Sequence, residues 1–226
     1  MGQNHKEVPG FHVSHLKVQT IFSHLSGSGN KTLQNFTHQQ LDLFNIAAAK
    51  IETVLGYATL KHIANSDAIL LAPIFHLDMV RLGIGLYGFG NDKKETEKLK
   101  NVLTLKSVIS QIHTIEKGET VGYNRAFKAN STIKTATIPI GHADGISRQF
   151  SSGNGYVYIK NKKAPIVGNV CMDMIMVNIT DINCNEGDEV LVYKNQFHIE
   201  ELAKSINTIS YEILTAISQR VTRIVN

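Results

Sequence analysis

One break in pattern constrains this chain more than any other feature. Up to Gly88, short apolar runs alternate with an amphipathic helical stretch, while beyond Leu99 strand-like runs follow one another with only turns between them. The run separating them, GFGNDKKETEKLK at 88–100, is polar and charged, and its central part, 89–98, reads as a linker or exposed turn. The sequence therefore predicts two parts of different architecture, 1–88 and 99–226.

In the first part, 18–23 reads as a buried strand and 26–30 as a Gly/Ser/Asn loop. Leu41, Phe44, Ala48, Ile51 and Leu55 then line one face of a helix. Thr37 with Gln40 three residues on has the form of a capping box, and Gly56 suits the helix's C-terminal stop. A short strand at 58–62 and an apolar, strand-like stretch at 79–86 follow. Strand, helix, strand at this spacing is the pattern of parallel βα units.

In the second part, 102–115, 132–140, 156–159, 171–179 and 189–193 are strand candidates, and 199–205 and 211–218 are helical. Along 171–179, Met172, Met174 and Met176 share one face, and Ile175, Val177 and Ile179 the other. A strand apolar on both faces is expected to be buried in a barrel or at a domain junction.

Composition narrows the function classes. With 226 residues, 42% of them hydrophobic, the chain can bury one large core or two modest ones. No apolar stretch approaches the roughly 18 residues of a membrane helix, and no signal-peptide pattern opens the chain. The net charge of +4 is spread out, without the basic clusters that nucleic-acid binding concentrates. Cys171 and Cys184 are too few for a disulfide framework and lack metal-ligand spacing, which points to a reducing compartment, the cytoplasm.

Three stretches carry chemistry at the expected carboxyl ends of the βα strands, where such folds place functional groups. FSHL brings His24, HIANS brings Asn65 and Ser66, and MVRLGIGLYG brings Arg81 followed by Gly83 and Gly85. A serine hydroxyl with glycine backbone amides suits a phosphate held by strand-end loops, and no GxxxxGK[ST] run is present for a nucleotide. A buried arginine needs an acceptor or an acidic partner, and a cofactor ring nitrogen would serve. In the second part, IGHADG (140–145) sets His142 between glycines and GNVCMDM (168–174) sets Asp173 in an apolar run. An exposed turn and a buried, hydrogen-bonded Asp are the packing alternatives for these two, and spacing does not separate them from functional readings.

The order of these stretches resembles the alanine racemase family, pyridoxal 5'-phosphate (PLP) enzymes of fold type III. IFSHL (21–25), FTHQQLDLF (36–44), HIANS (62–66), MVRLGIGLYG (79–88), VGYNRAF (121–127), TIPIGHADG (137–145), GNVCMDMIMVNIT (168–180) and SYEILTAISQRVTR (210–223) carry the likeness. The resemblance implies an α/β plus β chain: the C-terminal part of a PLP-binding (β/α)8 barrel, then a mainly β domain. It also implies L-alanine/D-alanine as substrates, a head-to-tail homodimer, and D-alanine supply for peptidoglycan in the cytoplasm.

Carried over by position, Ser66 with the neighbouring Asn65, the backbone around Gly83 and Ile84, and Tyr211 resemble the residues that hold the PLP phosphate. Arg81 resembles the arginine facing the pyridine nitrogen, and His24 the histidine linking that arginine to the catalytic base. Met172 is similar to a backbone contact to the substrate carboxylate. The family's PLP lysine stands in a K-A-N-A-Y-G-like stretch that this sequence lacks. Lys128-Ala129-Asn130 repeats three of its letters but follows VGYNRAF in the β part. His142 stands where the family's tyrosine base stands, and a neutral imidazole is able to accept a proton. This histidine version resembles the racemase half of proteins fused to a Mur-type peptidoglycan ligase, so a fused or missing N-terminal region is expected. The competing expectations are another fold type III enzyme, such as an amino-acid decarboxylase, and a non-catalytic dimerisation or docking remnant.

Overall fold

The computed structural model describes residues 16–225, which fall into two units that divide between Gly83 and Ile84. In the first unit the strands β1 (Thr20–Phe22) and β2 (Leu60–His62) pair in parallel, with Phe22 opposite His62. Parallel neighbours need a crossover, and the 22-residue helix α1 (Gln34–Leu55) provides it. Its Leu41, Phe44 and Ala48 are buried, and Leu41 and Phe44 pack in a small core with Leu25, Ile63, Ala64, Ala68 and Phe75. Gly56 ends the helix in the left-handed region, at φ 75°.

The helix begins earlier than the Thr37–Gln40 pair implies. The Asn30 side chain accepts the Thr32 N–H at 2.9 Å and starts a 3-10 turn, Lys31–Leu33, that runs straight into α1. Thr37 therefore lies inside the helix, with its hydroxyl donating to the Leu33 carbonyl at 3.0 Å. A second correction concerns 79–86, which forms no strand. Single bonds from Asp78 N–H to Lys61 O and from Arg81 N–H to Ala64 O, each 3.1 Å, hold 78–81 against 61–64. Before them comes the short helix α2 (Ser66–Leu71), capped by Asn65.

The second unit opens with the 3-10 turn Ile84–Tyr87 and the short helix α3 (Lys93–Thr96), capped by Asp92. The charged run expected as a linker is folded in: Phe89 is part of the second core, and Gln196 Nε2 donates to the Gly88 carbonyl at 3.2 Å. Strands β3 (Leu105–Val108) and β4 (Gln111–Ile115) come next, then a small hairpin of β5 (Thr120–Val121) and β6 (Phe127–Lys128). They are followed by β7 (Ile133–Ile138), β8 (Tyr156–Ile159), β9 (Lys162–Val167), β10 (Ile175–Asn178) and β11 (Glu189–Tyr193). Helices α4 (Gln196–Ser205) and α5 (Ser210–Thr215) close the unit. Seven strands form one antiparallel sheet in the order β3-β11-β8-β9-β10-β7-β4.

The expected two-faced apolar strand is one-faced. Ile175, Val177 and Ile179 are fully buried, while Met172 is 59% and Met174 43% exposed. Both methionines precede β10, in the loop 171–174, where the chain has not yet entered the pleat. Among the described residues no helix is long and apolar enough to cross a membrane, and both cysteines are free thiols.

His198, on α4, couples the stability of the second unit to pH. Its ring stacks on Tyr156 with centroids 4.6 Å apart, Nδ1 accepts the Lys194 N–H at 3.2 Å, and Nε2 lies 3.3 Å from the Tyr156 carbonyl. This arrangement uses the neutral tautomer fully, and a proton on Nδ1 would leave the Lys194 N–H facing another donor. Burial accordingly pushes the ring's pKa down to about 4. A depressed histidine pKa means that the unfolded chain takes up the proton first. Stability is intact above about pH 6.5 and falls as pH drops toward 4, by about 2 kcal/mol at pH 5. Urea denaturation at pH 7.5 and pH 5 should show this loss, and His198→Asn should remove most of the difference between the two pH values.

Candidate functional site

In the first unit, the parallel pairing of β1 and β2 aligns their carboxyl ends, so Ser23-His24 and 63–66 leave the sheet at the same edge. Asn65 is drawn into local structure. Its Oδ1 accepts from Ala68 N–H at 3.0 Å, capping α2, and from the Ser28 hydroxyl at 2.9 Å. Ser66 Oγ accepts the Gly83 N–H at 2.8 Å, which sets two of the expected phosphate-binding residues side by side.

Arg81 reaches back across the same edge. Its Nη2 donates to the Ser23 carbonyl and, at 3.0 Å, to the Ile63 carbonyl, while its guanidinium lies 5.3 Å from the centre of the Phe22 ring. Nε is buried without a hydrogen-bond partner. Arg81 thus binds the carbonyl preceding His24 rather than the imidazole, and the His24 side chain is exposed. Carbonyls satisfy part of a guanidinium but do not neutralise it, and among the described residues no carboxylate pairs with Arg81.

His62 is a residue that sequence reasoning passed over. Its ring stacks on Phe22 at 5.2 Å, and its buried Nδ1 has no partner. Burial first, and then the positive charge of Arg81, lowers its pKa. Its place inside HIANS was the available signal.

The second unit holds His142, Met172, Tyr211 and Ile84, the last being the first residue of its opening turn. His142 begins the 3-10 turn His142–Asp144, and its side chain is exposed beside a cleft of about 390 Å³ that Arg148, Tyr193 and Glu212 also line. The turn lies directly on the loop carrying Met172. His142 N–H donates to the Cys171 carbonyl at 2.9 Å, and Ala143 N–H donates to the Met172 carbonyl at 3.0 Å. Gly141 permits this approach, since a Cβ there would run into both carbonyls. Gly145, at φ 104°, would likewise meet the Ala216 carbonyl.

Asp144, not Asp173, proves to be the buried carboxylate. Its side chain is 13% exposed against 57% for Asp173. Asp144 Oδ2 accepts the Gly141 N–H at 2.8 Å and Oδ1 accepts from Arg220 Nε at 2.6 Å, while Arg220 Nη2 donates to Asp173 Oδ1 at 2.6 Å. Arg220 foremost, helped by the Gly141 amide, holds the Asp144 carboxyl below its usual range against the opposing effect of burial. Tyr211 sits on α5 with its ring edge-on to Tyr87 at 6.4 Å. Lys128 ends β6, in the second unit. Among the described residues no cluster of histidine, cysteine and carboxylates could hold a metal ion.

The chain as a whole is similar to known proteins. The family model described as "Alanine racemase, N-terminal domain" matches residues 10–90, and "Alanine racemase, C-terminal domain" matches 102–225. The alanine racemase of Cutibacterium acnes is 39% identical over 214 residues, covering 92% of this chain and 57% of the relative. The solved alanine racemase of Clostridium difficile 630 in complex with cycloserine superposes with a TM-score of 0.81 at 34% identity, over 91% of this chain and 55% of that one. The structure from Bartonella henselae, with covalently bound pyridoxal phosphate, gives 0.76 at 34% identity, over 92% and 56%. The chain thus spans little more than half the length of these relatives. With both family models matched in order along its two units, the chain belongs to the alanine racemase family, whose fold joins an N-terminal barrel domain to a C-terminal β domain.

Proposed function

We propose that these residues form the C-terminal portion of a PLP-dependent alanine racemase, in which the first unit is the last part of the barrel and the second unit carries the base for one face of the substrate. The observation that carries this reading is the exposed His142 imidazole on a glycine-flanked turn bonded to the Met172 loop. Arg81 supports the fit to PLP, because a half-buried guanidinium whose buried Nε is unpartnered, with no carboxylate on it among the described residues, suits a neutral ring acceptor. Ser66 Oγ and the Gly83 amide lie side by side at 2.8 Å, close enough for both to face one phosphate, which supports their reading as phosphate contacts.

Bound PLP supplies the electron-withdrawing ring that makes the Cα–H of an attached amino acid acidic. The residues of this chain set the conditions around it. The Arg81 guanidinium carries only hydrogen-bond donors, so an acceptor facing it stays unprotonated, which limits carbanion build-up and side reactions. His142 accepts the Cα proton on its face in one direction and gives one up there in the other, the opposite face being served by a group outside this sequence, while the Met172 backbone fixes the substrate carboxylate. The family's order of motifs supports a head-to-tail homodimer in which one protomer's second unit serves its partner's barrel. D-alanine for peptidoglycan, made in the cytoplasm, is the product this reading implies.

Two outcomes test the proposal. With PLP and borohydride, this chain by itself should show no labelled lysine on peptide mapping and make no D-alanine, since the family's lysine stretch is absent from its sequence. A labelled lysine would contradict that. Supplied with a polypeptide carrying the lysine-bearing first half of the barrel, the assembly should racemise alanine, and failure to do so would overturn the proposed activity. In that assembly, His142→Asn should cut deuterium exchange from L-alanine by about 10²- to 10⁴-fold while sparing exchange from D-alanine and PLP binding. Equal rates in both directions would make His142 a packing residue.

A further inference from the structure

Three stretches distant in sequence meet around one side chain of the second unit. Arg220, from the tail after α5, sends Nε to Asp144 in the His142 turn and Nη2 to Asp173 in the Met172 loop, both at 2.6 Å. The backbone repeats the junction. Ser218 N–H donates to the Asp144 carbonyl at 3.0 Å, and the amides of His142 and Ala143 bond the Cys171 and Met172 carbonyls. Gly141 and Gly145 lack the Cβ that would force these stretches apart. A guanidinium is suited to such a junction because it is flat, permanently charged and forked, so two acceptors are held at a fixed angle by one rigid group.

We infer that Arg220 is a positioning residue: through Asp144 and Asp173 it sets the His142 imidazole and the Met172 backbone in one fixed relation. The inference rests on the reading of His142 and Met172 as substrate-facing groups. The division of labour is specific. The Asp144 arm governs the angle at which the turn presents its imidazole, because the other oxygen of that carboxylate caps the same turn at Gly141. The Asp173 arm governs the Met172 loop, whose methionines are exposed and lie outside the core. Arg220 is 48% exposed, so the clamp works by geometry in a wet setting, and its contribution to overall stability is small.

Amide hydrogen exchange and the ring resonances of His142, read on the full chain, test this. Arg220→Met should raise exchange about tenfold at His142, Ala143 and the 171–174 loop, leave β8 and β9 at their original rates, and shift or broaden the His142 ring signal while His113 on β4 keeps its own. Asp173→Asn should loosen 171–174 alone. Unchanged exchange in both stretches with an unmoved His142 ring would overturn the inference. So would an equal rise across β8–β11, the mark of a general stabiliser. Should Arg220→Met fail to fold, Asp173→Asn decides the matter: local loosening supports the clamp, and no local change refutes it. None of these readouts requires racemisation, so the clamp and the proposed activity stand or fall separately.

Discussion

A carboxylate at 13% side-chain exposure must have its charge answered, and both oxygens of Asp144 are answered. One takes the Gly141 amide and the other takes Arg220. What surrounds the candidate base follows from that requirement. The turn His142–Asp144 is closed by its own last residue, laid on the 171–172 carbonyls, and pinned from outside by the chain's tail. The imidazole is left facing solvent on a backbone that has little freedom. That is the arrangement a proton-transfer group needs, since a base displaced by an ångström loses much of its effect.

The first unit solves a different problem. A half-buried guanidinium sits where two parallel strands end, and its partners are carbonyls of the residues just after the strands, Ser23 and Ile63. The aromatic ring of Phe22 is stacked on the His62 imidazole and also faces the Arg81 cation. Two buried nitrogens there, Arg81 Nε and His62 Nδ1, have no partner. Unmet polar groups of this kind are costly in a purely structural core, and they agree with an edge shaped around a polar ligand.

Much of this was legible in the sequence, for identifiable reasons. The boundaries of β8 and β11 follow directly from short apolar runs bounded by turn residues, and Gly56 marks the end of α1 because only a left-handed residue closes a helix cleanly there. The motif stretches brought Ser66 next to Gly83 and His142 next to the Met172 loop. Periodicity misled at 171–174, where alternation of methionines imitated a strand before the pleat begins, and at 79–86, where an apolar run is held by isolated bonds and no ladder. The helical stretch begins ahead of the Thr37 signal, at the 3-10 turn that Asn30 caps and that runs into α1, which has no side-chain cap of its own. Arg220 was invisible for a simpler reason: it lies 76 positions from Asp144, and only the folded sheet brings them together.

The Asp144–Arg220 pair, on this reading, acts as a unit in holding the His142 turn. A double-mutant cycle measures it directly: exchange at the His142 and Ala143 amides in the parent, Asp144→Asn, Arg220→Met and the double variant. If the pair acts as a unit, the second substitution adds almost nothing once the first is made, and the double variant exchanges as fast as the faster single variant. Effects that multiply independently in the double variant would contradict the account, since each residue would then be holding the turn without the other.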